Sequence, residues 1–342
     1  MSRKKVRSID ELGEFALIDH LTSGFQSRQE STHLAVGDDA AVIDHGSYYQ
    51  VVSTDLLLEG VHFDLVYTPL KHLGYKAVLI NLADVYAMNA APRQITVSIG
   101  VSGKFSVDAL EEFYAGVKLA CERYGVDLVG GDTAGSMTGL VISITAIGTA
   151  LKKELALRSG ARKHQLICVT GNLGAAFLGL KVLEREKQLH AQDPEFQPEL
   201  KGYDYILERY LKPEVPLDAL MAMKEAGIKP ASMIDVSDGL ASELLHICKA
   251  SSCGCQVYDD RIPIADESVA AAGEFGMEPL VAALHGGEDY EFLFTVPLSD
   301  HDRVAGITGI SIIGNITDKK GSALLVGQDG KGIPLQAQGW SS

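Results

Sequence analysis

Apolar and polar positions along this chain alternate with two periods, and the switches between them set the expected elements. In "IDELGEFALIDHL", Phe15, Ile18 and Leu21 recur at helical spacing behind Asp10 as a capping residue, which predicts a helix. "SYYQVVSTDLLLEGVHF" is β-rich and predicts a strand that ends near Ser53, Thr54 and Asp55. "LGYKAVLINLADVYAMNAAP" predicts a long helix stopped by Pro92. "QITVSIGV" predicts a strand and "VDALEEFYAGVKLACERYG" a helix closed by Gly125. "VDLVGGDTAG" reads as a short strand running into a glycine turn, ahead of the strand "LVISITAIGTAL".

A second alternation follows. "QLICVT" predicts a strand, "GAAFLGLKVLERE" a helix, the polar span "KQLHAQDPEFQPELKGYDY" a loop or insertion, and "PLDALMAMKEAG" a helix. "SMIDVSDGLASELLHICKASS" predicts a strand into a helix, "CQVYDDRIPI" a strand, and "GGEDYEFLFTVP" a turn into a strand. Each half repeats one rhythm of short apolar strand, Gly/Asp turn and long helix. The expectation is an α/β (α+β) protein of two domains, 1–150 and 151–342, each a mixed sheet packed with helices.

Composition sharpens this. Of the 342 residues, 46% are hydrophobic, enough to fill such cores, and the net charge of -15 speaks against a nucleic-acid partner. An anionic small substrate would have to be reached through metal ions or a local cation. The five cysteines, Cys121, Cys168, Cys248, Cys253 and Cys255, form no CxxC pair and no zinc-spaced set, which fits a reducing compartment. With no apolar signal core in "MSRKKVRSIDELGEF" and no run long enough to span a bilayer, a soluble cytoplasmic protein away from membranes is expected.

Six acidic turns recur: Gly37-Asp38-Asp39, Ser53-Thr54-Asp55, Asn81 to Asp84, Gly130-Gly131-Asp132, Asp235 to Gly239, and Gly286 to Asp289. Singly, each is explained by turn chemistry or helix capping. Asp84 resists that explanation, because on a helix it shares a face with Ala77, Ile80 or Asn81, and Met88, with no basic residue three or four positions away. Asp132 and Asp235 are each expected at the end of a buried strand, where α/β sites collect. Several acids offered this way, with few lysines beside them, point to divalent cations and through them to phosphates; hard oxygen donors suit Mg2+ rather than zinc. Other phosphate motifs are missing. "GVSGKFS" has the wrong spacing for a P-loop, and Gly171-Asn172-Leu173-Gly174 lacks the third glycine of a dinucleotide turn. Arg158 is the cation to send to a phosphate, or else an ordinary surface arginine.

In this order, "STDLLLEGVHF", "YKAVLINLADVYAM", "GGDTAG", "LRSGAR", "IDVSDGL" and "GGEDYEF" resemble the thiamine-monophosphate kinases, in the superfamily of aminoimidazole ribonucleotide synthetase and selenophosphate synthetase. The likeness runs from "GEFALI" to the terminal "GW", and the reactive Cys and lysine of selenophosphate synthetases are not found near the start. The resemblance implies ATP-dependent phosphorylation of thiamine monophosphate, several Mg2+ and a homodimer through the N-terminal sheet. It implies Asp39, Ser53, Thr54, Asp55, Asp84, Asp132, Asp235 and Asp238 as Mg2+ ligands, with Asp84, Asp132 and Arg158 as the catalytic set. It places Tyr114, Gly131, Asp132, Arg158 and Ser237 at ATP, and His62, Glu288 and Trp340 at thiamine, where an aromatic face suits a cationic ring. By itself His62 reads as a packed strand-end histidine, and Glu288 as a turn cap. "LKPEVP" stands where a more arginine-rich loop is expected, and the 187–205 span is long. A sister synthetase and a non-catalytic nucleotide-binding regulator remain as alternatives.

Overall fold

In the N-terminal half of the chain, a computed structural model shows α1 (Glu14–Thr22), β1 (Thr32–Leu34), β2 (Ala41–Asp44), β3 (Tyr49–Leu58), α2 (Leu70–Ala87), β4 (Ala91–Val101), α3 (Val107–Tyr124), β5 (Asp127–Gly135) and β6 (Val141–Ala150). It describes residues 13–193 and 195–337, so the expected capping Asp10 and Trp340 lie outside the described residues. The strands form one sheet in the order β1-β2-β3-β6-β4-β5, antiparallel except for the pair β4 and β5. Along β3 and β6 buried and half-exposed residues alternate, as in a sheet with one covered face.

α2 covers that face. It is apolar nearly all round and buried from Leu73 to Ala87 except at the half-buried Asp84 and Tyr86, because α3 lies on one side of it and the sheet on the other. Two glycines let the helices touch: a Cβ on Gly74 would fall 2.0 Å from Phe113 O, and one on Gly116 1.9 Å from Lys71 O. Gly125 ends α3 at φ 65, as its sequence predicts, and Ser106 caps the other end by accepting a hydrogen bond from Ala109 N.

The second half comprises β7 (Leu166–Thr170), α4 (Ala175–Gln192), α5 (Asp204–Leu211), α6 (Leu217–Glu225), β8 (Ser232–Asp235), α7 (Leu240–Ser251), β9 (Gly254–Tyr258), α8 (Asp266–Glu274), α9 (Pro279–His285), β10 (Phe292–Val296), α10 (His301–Ala305), β11 (Ile310–Thr317), β12 (Ala323–Val326) and β13 (Gly332–Pro334). Its sheet runs β13-β12-β9-β11-β7-β10-β8 and is also mixed, with β9 and β12 parallel. The two sheets share apolar packing: Val78 and Ile144 from the first half belong to the same buried cluster as Met233 and Phe292 from the second.

Several expectations need correcting. Pro92 does not stop a helix but sits second in β4, near a register shift where its missing N–H is tolerated. "VDLVGGDTAG" is not a strand followed by a turn; residues 127–135 form one exposed edge strand. Ser53, Thr54 and Asp55 fall in the middle of β3 rather than at its end. α4 runs on through 187–192, so the polar loop is shorter than expected.

Candidate active site

β3 presents successive side chains to opposite faces. Ser53 and Asp55 point towards α2, where Ser53 Oγ donates to Asp84 Oδ2. Asp55 N donates to Asn81 Oδ1 at 3.0 Å, and Asn81 Nδ2 donates to Ala77 O, so Asn81 locks helix to strand. β8 ends at Asp235, and Asp39 arrives from the turn before β2. One carboxylate oxygen from each of Asp39, Asp84 and Asp235 lies within 4.8 Å of the others. Three segments far apart in sequence thus converge.

The positive charge against them is small. Arg158 donates from Nη2 (2.7 Å) and Nε (3.1 Å) to Asp39 Oδ1, and its backbone N donates to Asp38. Burial, reinforced by Asp39, pushes Asp38 up to about 7, and burial alone pushes Asp55 up to about 6. Asp84 is held well above the usual carboxylate range by burial and then by Asp55, Asp235 and Asp39. Asp235 is raised in the same way by burial and Asp39, against the pull of Arg158. Beside them the buried Glu243 accepts from Asp238 N at 3.0 Å, and burial with the charges of Asp238 and Asp235 raises it too.

Asp39 Oδ2 is buried with no hydrogen-bond partner. A buried acceptor left empty among mutually repelling carboxylates is costly unless something positive binds there. Carboxylate and hydroxyl oxygens of this kind fit a hard divalent cation, held by Asp39, Asp84 and Asp235 with Asp55 and Ser53 adjoining.

Other expected residues fall elsewhere. Thr54 faces the opposite side of the sheet, where its hydroxyl donates to Ile144 O and accepts from Thr145. Register aligns Asp55 with Ile144, Val97 and Gly131, so Asp132 takes the outer face, three strands or roughly 14 Å from β3. Asp132 therefore stands on an exposed edge, not at the buried strand end expected of it. A Cβ on Gly131 would lie 1.8 Å from Val97 O, which explains that glycine by packing. Tyr114 sits half-buried on α3 beside Phe113, with ring centroids 5.5 Å apart. His62 Nδ1 accepts from Leu58 N, tying a turn together.

Ser237 and Glu288 are neighbours, because Glu288 N donates to Ser237 O at 2.7 Å. Glu288 itself has an ion-pair partner that sequence reasoning missed: Lys76 Nζ, 2.7 Å from Oε2. Glu243 was missed as well, while Asp38 and Asn81 stood in the acidic turns without a role assigned to them. For Lys76 the signal was present, since a lysine in a helix without a polar face must be buried, and a buried ammonium needs an acid.

Residues 37–150 match the AIR synthase related protein, N-terminal domain family. A thiamine-monophosphate kinase from Aquifex aeolicus is 32% identical over 97% of this chain and 98% of its own length. One from Bacillus subtilis is 31% identical over 96% and 99%. The solved structure of AaThiL complexed with AMPPCP and TMP superposes with a TM-score of 0.82 at 29% identity, covering 96% of this chain and 97% of that one. With full-length relatives at this level of identity and a common fold, the chain belongs to the thiamine-monophosphate kinase family.

Proposed function

We propose that this chain transfers the γ-phosphoryl group of ATP to the phosphate of thiamine monophosphate, yielding thiamine diphosphate. The observation that carries this reading is the convergence of Asp39, Asp84 and Asp235 around an unpartnered Asp39 Oδ2, in a family named for that reaction. Two anions must meet, so neutralisation and alignment are the catalytic tasks. Mg2+ bound by Asp39, Asp84, Asp235 and Asp55 would supply the neutralising charge and the template. Arg158, anchored on Asp39, adds a fixed cation beside those carboxylates. The acceptor phosphate is already ionised at neutral pH, so no side chain need act as base, in keeping with a His62 whose Nδ1 is occupied by Leu58 N. Ser237 borders the acids; Tyr114, Gly131 and Asp132 enter the reading as nucleotide-side contacts, and Asp238, with Thr54 and Asp132 on the outer face, as further Mg2+ ligands. His62, Glu288 and Trp340 would receive the thiamine end.

We also infer a homodimer through the N-terminal sheet, whose outer face and edge expose Leu56 (52%), Leu128 (46%) and Val129 (57%), more apolar surface than water favours. We assign one sheet to each of two domains, 1–150 and 151–342. Five free cysteines support a cytoplasmic setting, and among the described residues no helix is long and apolar enough to cross a membrane.

The test is phosphoryl transfer to thiamine monophosphate across a Mg2+ titration, with the sedimenting mass measured on the same preparation. Thiamine diphosphate should form only with both ATP and Mg2+, in a species of twice the chain mass. ATP bound without product would favour a regulator, and transfer only to an amide or carbonyl acceptor a sister synthetase; either ends the kinase reading, and a monomer ends the dimer reading.

A further inference from the structure

Lys76 is a buried cation that the chemistry above does not use. Its side chain is 7% exposed, against 25% for Glu288, and its Nζ lies 2.7 Å from Glu288 Oε2. The same ammonium sits 4.0 Å above the Tyr210 ring. It is therefore held by an aromatic face and one carboxylate oxygen, and Glu288 is the more exposed partner of the pair. Glu288 has little freedom of its own: it adopts φ 59, in the left-handed region, and its N is tied to Ser237 O. Tyr290, also left-handed at φ 51, lies within the fields of Glu288, Asp55, Asp235 and Asp84, which joins the Lys76 pair to the acid cluster. Lys76 and Asp84 are both on α2, eight residues or about 12 Å apart along its axis, so one rigid helix sets the spacing between the Lys76–Glu288 pair and the acid cluster.

We propose that Lys76 is the positioning residue for recognition of the acceptor's positive ring: by holding Glu288 Oε2 it fixes that carboxylate in place, with Oε1 left to meet the quaternary nitrogen. This rests on the thiamine monophosphate reading. Without Lys76, Glu288 would stand unpaired beside the acid cluster and would swing away, and the fixed negative oxygen that attracts a cation would be lost.

The experiment measures kcat and KM for thiamine monophosphate, for the uncharged thiazole phosphate that lacks the quaternary nitrogen, and for MgATP, in wild type, Lys76→Met, Glu288→Gln and the double variant. Lys76→Met should raise KM for thiamine monophosphate roughly tenfold or more, the worth of one charge-assisted contact, with kcat and the MgATP KM nearly unchanged. Its preference for the charged over the uncharged acceptor should fall to that of Glu288→Gln, and the double variant should match Glu288→Gln alone. A structural role would weaken both acceptors equally. If Lys76→Met does not fold, the double variant, which removes both charges, decides: a loss beyond Glu288→Gln overturns the proposal, as does a Lys76→Met enzyme that keeps its charge preference. A wild type that makes no thiamine diphosphate sinks the broader reading and this one together; an active wild type with a neutral Lys76→Met sinks only this one.

Discussion

The protein buries two groups of acids a short distance apart, and treats them in opposite ways. Around Asp289 and Glu291, each carboxylate oxygen ends on a donor of the chain itself. Asp289 accepts from Gly174 N (2.7 Å) and Ala176 N (3.5 Å) at the start of α4, while Glu291 accepts from Thr170 Oγ1 (2.6 Å) and Arg209 Nη2 (2.8 Å). Around Asp39, Asp84 and Asp235, one guanidinium and one hydroxyl serve three carboxylates, and Asp39 Oδ2 has no partner. Acids whose lone pairs are filled from within are architecture. Acids left short of donors are held open for a ligand, and the fold bears their repulsion until it arrives.

The sharpest break between the groups comes from removing a cation from the satisfied one. Arg209→Ala leaves Glu291 charged and buried, and should cost about 3–5 kcal/mol in urea unfolding; an unchanged midpoint would mean this group is not structural. Asp84→Asn attacks the other group. Turnover should drop about a hundredfold or more, near 2.7 kcal/mol of barrier, while the Mg2+-free variant unfolds no more easily than wild type because a repulsive charge has gone. Wild-type rates at saturating Mg2+ would remove Asp84 from the metal site.

The most gradual effect is a slope with pH. Burial pushes Asp289 up to about 7, so between about pH 4 and 7 the folded protein holds a proton that the unfolded chain has released. Its contribution to stability is complete below the unfolded value and is lost as pH rises through that window, by at most about 1.4 kcal/mol per unit. With Mg2+ saturating the first group, thermal melts across this range should decline in wild type and flatten in Asp289→Asn. Parallel curves would show that Asp289 is ionised throughout.

Some of this was legible in the amino-acid order. The acidic turns put Asp39, Asp84 and Asp235 among the candidates, and two of them stood out locally: Asp84 as an acid on an apolar helix face and Asp235 as an acid after an apolar strand. "GGEDYEF" was harder. It packs three acids into four positions, and their jobs differ: Glu288 pairs with Lys76, Asp289 caps α4, and Glu291 pairs with Arg209. Those partners lie 212, 115 and 82 residues away, beyond any local pattern.

Periodicity and capping are local, so the span of α3 between Ser106 and Gly125 and the burial of α2 follow from short stretches of chain. Pairing order and the side of the sheet a residue takes depend on which strands lie beside it, and that is settled only when distant segments pack. Thr54 and Asp132 therefore stand on the outer face, away from acids with which their motifs had grouped them. The same packing decides which buried carboxylates find a donor within the chain and which wait for an ion, since a hydrogen bond needs its partner within about 3 Å and no sequence spacing guarantees that.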